Sequence, residues 1–136
     1  MKKTLILFSV ILLAACSGTG MKSNILLQQI NTKQTKVFVK RDTGYQGLAA
    51  LVKVTLNGIK IGELGNGERV SADIKQDSGV LSAGFTGIAS IASSSGSRQF
   101  SIKRGEKLFF IIKQDVNIAS TKLSIYQTDQ NEFFSD

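Results

Sequence analysis

An Asn57-Gly58 dipeptide between two alternating apolar segments constrains this sequence more than any other feature. Both residues tolerate the positive φ angles of a type I′ turn, so the pair is the strongest short-range signal for a β-hairpin. A two-residue loop predicts three cross-strand pairs: Leu56 with Ile59, Thr55 with Lys60 and Val54 with Ile61. The apolar pairs then share one face of the sheet and the polar pair takes the other.

Short segments that favour β-strands recur from residue 35 to residue 128, with Gly, Asn and Asp at the turns between them. They span residues 36–40, 51–56, 59–62, 69–74, 98–103, 108–112 and 122–126. Residues 108–112 form an unbroken apolar run, which is typical of a strand covered on both faces. The spacing predicts an all-β fold, a single antiparallel β-sandwich of about seven to eight short strands.

Residues 79–97 contain small residues, a few apolar ones and no charge. One interpretation is a segment that contacts a membrane or another copy of the chain, because small residues let helices approach closely in lipid. The other is a strand within residues 80–91 that leads into a flexible Ser/Gly loop. The strand patterns on both sides favour the second interpretation, and Gly84 and Gly87 disfavour a membrane-spanning helix.

The N-terminus has the pattern of an export signal. Positive residues precede an apolar run that is too short to span a bilayer, which takes about 20 apolar residues. The run ends in Leu13-Ala14-Ala15-Cys16, which resembles the bacterial lipoprotein signal. The resemblance implies cleavage between Ala15 and Cys16 and a lipid on the Cys16 thiol, since a thiolate is the nucleophile that a thioether requires. An ordinary signal peptide with an incidental Cys is the alternative, but this is the only Cys of the chain.

Cleavage at this site changes the charge and leaves a linker. Cleavage would remove Lys2 and Lys3 and none of the acidic residues, so the formal charge would fall from +7 to +5. Residues 17–24 are small and polar, which predicts a flexible tether, and residues 25–30 fit either a helical turn or an extended segment. We expect four parts: a signal peptide (1–15, a cleaved helix), the lipidated Cys and linker (16–34), the β-sandwich (35–128) and an acidic C-terminal tail (129–136).

The composition excludes several chemistries. Without His, no Ser-His-Asp or Cys-His arrangement can form, and one Cys makes neither an intrachain disulfide nor the usual zinc site. The acidic residues lie at predicted turns or strand ends, so we expect solvated carboxylates and not a general acid–base pair. We therefore expect no enzyme activity, no cofactor and no metal.

Basic residues cluster near the first and the penultimate predicted strands. The candidates for a basic surface are Lys36, Lys40, Arg41, Arg98, Lys103 and Arg104. Such a surface would bind anionic lipid head groups, cell wall or another polyanion, although an ordinary solvated face is the favoured interpretation. Nucleic acid is not expected as the partner of an exported chain, and no motif of stacking aromatic residues is visible.

A series of turn and strand residues runs from Val52 to Phe110. It consists of Val54, Asn57, Gly58, Ile61, Gly62, Leu64 and Gly67, followed by Gly79, Gly105, Leu108, Phe109 and Phe110. The series resembles small bacterial lipoproteins of the family called domain of unknown function 2846, related to PEGA-like β domains. Such families often have Pro beside the Gly that corresponds to Gly79, where this chain has Asp77-Ser78. The resemblance implies a lipid-anchored β-sandwich and supplies no catalytic residues.

Together these features predict a lipid-anchored lipoprotein of the cell envelope, acting as a non-enzymatic binding or structural module accessory to an envelope assembly. Its partners would be the membrane, through the N-terminal lipid, and an envelope protein. Ser17 is compatible with the outer membrane, because in Gram-negative lipoproteins an Asp at this position usually favours the inner membrane. The alternative is a β-barrel-like lipoprotein that binds a small ligand or a lipid.

Overall fold

Two β-sheets pack face to face across a shared apolar core. The computed structural model describes residues 18–43, 50–91, 93–116 and 120–136. Within these ranges the strands are β1 (Lys36–Arg41), β2 (Val52–Leu56), β3 (Ile59–Leu64), β4 (Arg69–Asp73), β5 (Ser78–Phe85), β6 (Ser93–Ser94), β7 (Gly96–Ser101), β8 (Lys107–Val116) and β9 (Thr121–Thr128). The helices are α1 (Ser23–Ile30), a 3₁₀ helix (Gly87–Ser90) and α2 (Gln130–Phe134).

The first sheet has the strand order β4-β1-β8-β9-β6, and the second has the order β3-β2-β5-β7. The predicted all-β sandwich is therefore confirmed, with more strands in the described residues than the sequence analysis expects. Two pairs are parallel, β1 with β8 and β6 with β9, so the prediction of a purely antiparallel sandwich is wrong. Parallel neighbours need long connections, and here the whole second sheet is built from the chain between β1 and β8.

The predicted hairpin is present with an altered register. Asn57 and Gly58 have φ angles of 51° and 81°, as a type I′ turn requires. The observed pairs are Leu56 with Ile59, Thr55 with Lys60 and, after a β-bulge, Val54 with Gly62. The bulge moves Ile61 out of the predicted third pair, so that pair is wrong, although Ile61 still packs against the core. Ile59 keeps its predicted partner but is exposed.

The core between the sheets takes alternate residues of β1 and β8. Val37 and Val39 face inward from β1, and Leu108, Phe110 and Ile112 face inward from β8. They pack with buried residues of the second sheet, which include Val52, Val54, Leu64, Leu81, Phe85 and Phe100. The side chains in between, on β1 and β8, point to the opposite face of the first sheet.

That opposite face carries a second apolar cluster. Phe38 of β1 and Phe109 of β8 stack with their ring centroids 4.9 Å apart. They pack against Leu26 of α1 and Phe133 of α2, and these side chains are buried. β8 is therefore covered on both faces, as its unbroken apolar run predicts.

The two helices change the expected domain boundaries. α1 lies within residues 16–34, where a flexible linker is predicted, and its Leu26 is fully buried. α2 lies within the predicted acidic tail, residues 129–136, where the Asp129 carboxylate accepts a hydrogen bond from the Glu132 amide at 2.8 Å. The helical alternative for residues 25–30 is therefore confirmed. Both helices pack on the sandwich, because they cover phenylalanine rings that the sandwich alone leaves open.

The segment of small residues is also more ordered than expected. The strand within residues 80–91 is present as β5, which ends at Phe85 before the chain turns through Gly87 at a φ of 65°. The Ser/Gly part forms β6 and β7, so the flexible loop is wrong. Close packing explains the glycine at position 96, since a Cβ there would lie 2.3 Å from the carbonyl oxygen of Leu123.

Phe133→Ala is expected to lower the free energy of unfolding by about 3–5 kcal/mol, because the ring is completely buried between the helices and the sheet. Phe134→Ala is the matched control and should cost clearly less, since that neighbouring ring is only partly buried. Urea unfolding of both variants measures the difference. Equal and small losses would contradict a folded C-terminal segment.

Candidate functional site

The structure divides the predicted basic surface into two groups. Arg98, Lys103 and Arg104 are exposed. Lys36, Lys40 and Arg41 of β1 are buried, so their assignment to a basic surface is wrong. The reason is the cover over β1: helices lie on its outer face and the second sheet lies against its inner face.

Lys40 and Arg69 hold the end of α2 against the first sheet. Arg69 donates from Nε to the Phe133 carbonyl at 2.9 Å and from Nη2 to the Ser135 carbonyl at 3.0 Å. Lys40 Nζ donates to the same Ser135 carbonyl. Burial, and secondarily the positive charge of Arg69, lowers the pKa of Lys40. These cations satisfy carbonyls at a helix C-terminus, where positive charge is favourable.

Arg41 joins the two sheets at one end of the sandwich. Its Nη1 donates to the Ala50 carbonyl at 2.6 Å and to the Leu64 carbonyl at 2.9 Å. The guanidinium carbon lies 5.6 Å from the centre of the Phe85 ring. Burial lowers the pKa of Arg41, and the Glu68 carboxylate opposes that shift.

Glu68 fixes the first described residues to this same end. Its carboxylate accepts hydrogen bonds from the backbone amides of Gly18 at 2.8 Å, Gly20 at 2.5 Å and Gly65 at 3.1 Å. A carboxylate that accepts several amide hydrogen bonds makes a strong, charge-assisted contact. We call the interaction of Glu68 with residues 18–20 the N-terminal clamp.

The N-terminal segment also closes the gap between the two sheets. The Thr19 amide donates to the Glu63 carbonyl of β3 at 2.8 Å, and the Met21 amide donates to the Arg69 carbonyl of β4 at 2.7 Å. β3 and β4 are edge strands of different sheets. Residues 19–21 therefore cover two strand edges that would otherwise expose unpaired backbone groups.

Two cavities at the surface of the described residues are lined by charged side chains. One of about 550 Å³ is lined by Lys33, Lys75 and Arg104 together with Asp73 and Asp77. Another of about 200 Å³ lies beside Arg41 and Asp42, and a buried Gln114 Nε2 without a hydrogen-bond partner adjoins it. Within the described ranges, no group of three or more Asp, Glu, Cys or His residues is placed to hold a metal ion.

Sequence reasoning missed the roles of Glu68 and Arg69. Both directly follow the turn formed by Gly65, Asn66 and Gly67, which is the only signal they carry. A turn motif gives no information about the distant backbone groups that its side chains will meet. Ala15 and Cys16, the predicted cleavage and lipidation residues, lie outside the described residues.

No protein-family model and no curated protein matches the sequence, so the resemblance to domain of unknown function 2846 stays a prediction. An NMR structure of a protein from Eubacterium rectale is similar over 73% of this chain and 94% of that chain, with 17% identity and a TM-score of 0.44. Among the described residues, none of the helices has the length and apolar character needed to cross a bilayer.

Glu68→Ala is expected to release the N-terminal segment. Hydrogen bonds to a charged group contribute about 1.5–3 kcal/mol, so local opening should become about tenfold to a hundredfold more frequent. The initial rate of trypsin cleavage after Lys22, followed by mass spectrometry, measures this opening. Glu63→Ala is the matched control, because the Glu63 side chain contacts the exposed Lys60 while its backbone pairs with Thr19. A Glu68 variant that is cleaved no faster than this control would contradict the clamp.

Proposed function

We propose that this protein is a lipid-anchored lipoprotein of the bacterial cell envelope and that its sandwich is a non-enzymatic binding or structural module. The observation that carries the proposal is Leu13-Ala14-Ala15-Cys16, which places the only Cys of the chain at the end of the apolar run. Ser17 is compatible with the outer membrane in a Gram-negative host. The resemblance to domain of unknown function 2846 points in the same direction.

The position of the first described residues supports an anchor at Cys16. The N-terminal clamp holds Gly18 and Gly20, which follow Cys16 in the sequence by two and four residues. A lipid on Cys16 would therefore be attached close to the folded domain.

The placement of charge supports a module without catalytic chemistry. Lys40, Arg41 and Arg69 are buried, and each donates to main-chain carbonyls. Lys36 forms an ion pair with Asp73 at 2.6 Å. These side chains therefore stabilise the fold, and we assign none of them to a reaction.

The alternative, a module that binds a small ligand or a lipid inside the fold, is less well supported. In the described residues the space between the sheets is filled by aliphatic and aromatic side chains. A cavity of about 550 Å³ at the surface of the described residues is lined by both positive and negative side chains. Binding of a partner to the surface fits this arrangement better than an internal ligand site.

Cys16→Ser tests the anchor directly. The variant should lose incorporation of labelled fatty acid and should leave the membrane fraction or be processed incorrectly, because the serine hydroxyl does not form the thioether. Ser17→Ala is the matched control and should keep the label. Unchanged membrane fractionation and labelling of the Cys16 variant would contradict the proposal.

The same cells test the binding role. In-cell crosslinking should give protein adducts of the wild-type chain that are lost or weakened in Cys16→Ser, because the anchor brings the module to its envelope partner. Mass spectrometry identifies the adducts. Labelled, membrane-bound protein without any protein adduct would contradict the role in an envelope assembly while leaving the anchor intact.

A further inference from the structure

The N-terminal clamp limits how far the folded domain can lie from a lipid at Cys16. The Gly18 amide is bound to Glu68, and Thr19 is paired with Glu63. A fully extended chain spans at most about 3.6 Å per residue, so the Cα atoms of Cys16 and Gly18 lie within about 7 Å of each other. A lipid on Cys16 would therefore hold the clamped end of the sandwich next to the bilayer surface.

The strand registers identify what else lies at this end. On the second sheet, Leu64 at the end of β3 is level with Val52 and with Phe85 at the end of β5. Adjacent strands are about 4.8 Å apart, so the end of β5 is about 10 Å from the end of β3. The 3₁₀ helix Gly87–Ser90 and then Ile91 follow directly from the end of β5.

On the first sheet, β8 extends beyond the same end. Arg41 pairs with Ile112, and the Arg41 amide donates to the Glu68 carbonyl. β8 continues for a further four residues to Val116, which at about 3.3 Å per residue reaches about 13 Å past that level. Ile91 and Val116 therefore project from the end that carries the N-terminal clamp.

Exposed apolar side chains lie at this end of the sandwich, and the exposed Asp115 and Lys122 lie beside them. Ile91 is 85% exposed and Val116 is 41% exposed, and the segment from residue 86 to residue 97 carries no charge. Exposure alone does not identify a lipid contact, because Ile59 is 73% exposed at the opposite end of β3. What distinguishes Ile91 and Val116 is their position beside the residues that connect directly to Cys16.

We propose that the clamped end of the sandwich lies on the lipid surface that holds the anchor, with Ile91 and Val116 in contact with the interface. This inference rests on the proposed lipidation of Cys16. It places the Asn57-Gly58 turn and the exposed Arg104 at the end that points away from the bilayer. The domain then has one fixed orientation, which presents that far end to a partner.

A pair of labelled variants tests this orientation. Ile91→Cys and Ile59→Cys both change an exposed isoleucine, one at each end of the sandwich, and both are made in the lipidated protein, where Cys16 is already modified. Each new thiol is labelled with an environment-sensitive fluorophore, and the protein is placed in vesicles of phosphatidylethanolamine and phosphatidylglycerol. The fluorophore at residue 91 should shift to shorter wavelength and be quenched severalfold more strongly by nitroxide-labelled lipid than the fluorophore at residue 59.

The outcomes separate this inference from the proposed anchor. If Cys16 is not lipidated, the parent protein itself reacts with the thiol reagent and does not remain on the vesicles, which overturns both proposals. If the protein stays on the vesicles but both fluorophores report water, or residue 59 is quenched more than residue 91, the orientation is overturned and the anchor stands. Far-ultraviolet circular dichroism of the two variants confirms that both are folded.

Discussion

The first sheet is apolar on both faces at its centre, and the rest of the structure depends on that constraint. Phe38 and Phe109 are neighbours across the parallel pair of β1 and β8, and they point away from the core between the sheets. Full burial of a side chain of this size contributes about 1.5–3 kcal/mol. The sandwich cannot supply the cover, because its second sheet lies on the other side. Leu26 and Phe133, from opposite ends of the chain, supply it instead.

The packing of α1 and α2 against the first sheet also determines which backbone groups Lys40, Arg69 and Glu68 contact. α2 places its last carbonyls above β1 and β4, where Lys40 and Arg69 donate to them. The path from α1 back to the start of the described chain runs along the edges of β3 and β4 and ends at the N-terminal clamp on Glu68. A segment whose composition suggests a spacer is thus bound to the domain. Under the proposed function, this is why the sandwich would sit close to the membrane.

The sequence predicts local structure well and long-range pairing poorly. The turn at Asn57 and Gly58, the strands that alternate and the double cover over residues 108–112 follow from side-chain periodicity and turn chemistry. The bulge before Gly62 and the parallel pairing of β1 with β8 do not, because strands far apart in sequence leave no local signal of their register. The hydrogen bonds of Glu68 and Arg69 to distant backbone groups leave no local signal in the sequence either.

The β1 sequence shows the reason most clearly. Lys36 and Lys40 alternate with Val37 and Val39, which is the pattern of a strand with one face in water. That face is in fact covered by two helices. Local sequence does not predict either helix, because α1 has eight residues and α2 has five. Both are shorter than a helix that is stable alone. Lys40 is therefore buried against a helix end that local sequence patterns cannot reveal.

Native-state hydrogen exchange on the purified protein tests most directly whether the helices are integral to the domain. The Leu26 amide donates to the carbonyl of Lys22, the residue before α1, and the Phe133 amide donates to the carbonyl of Asp129. Both amides should be strongly protected, with opening free energies approaching that of the Phe110 amide in β8. Protection of this kind marks segments that open only with the core. Exchange of Leu26 and Phe133 at the rate of an unstructured chain, with Phe110 still protected, would contradict the account.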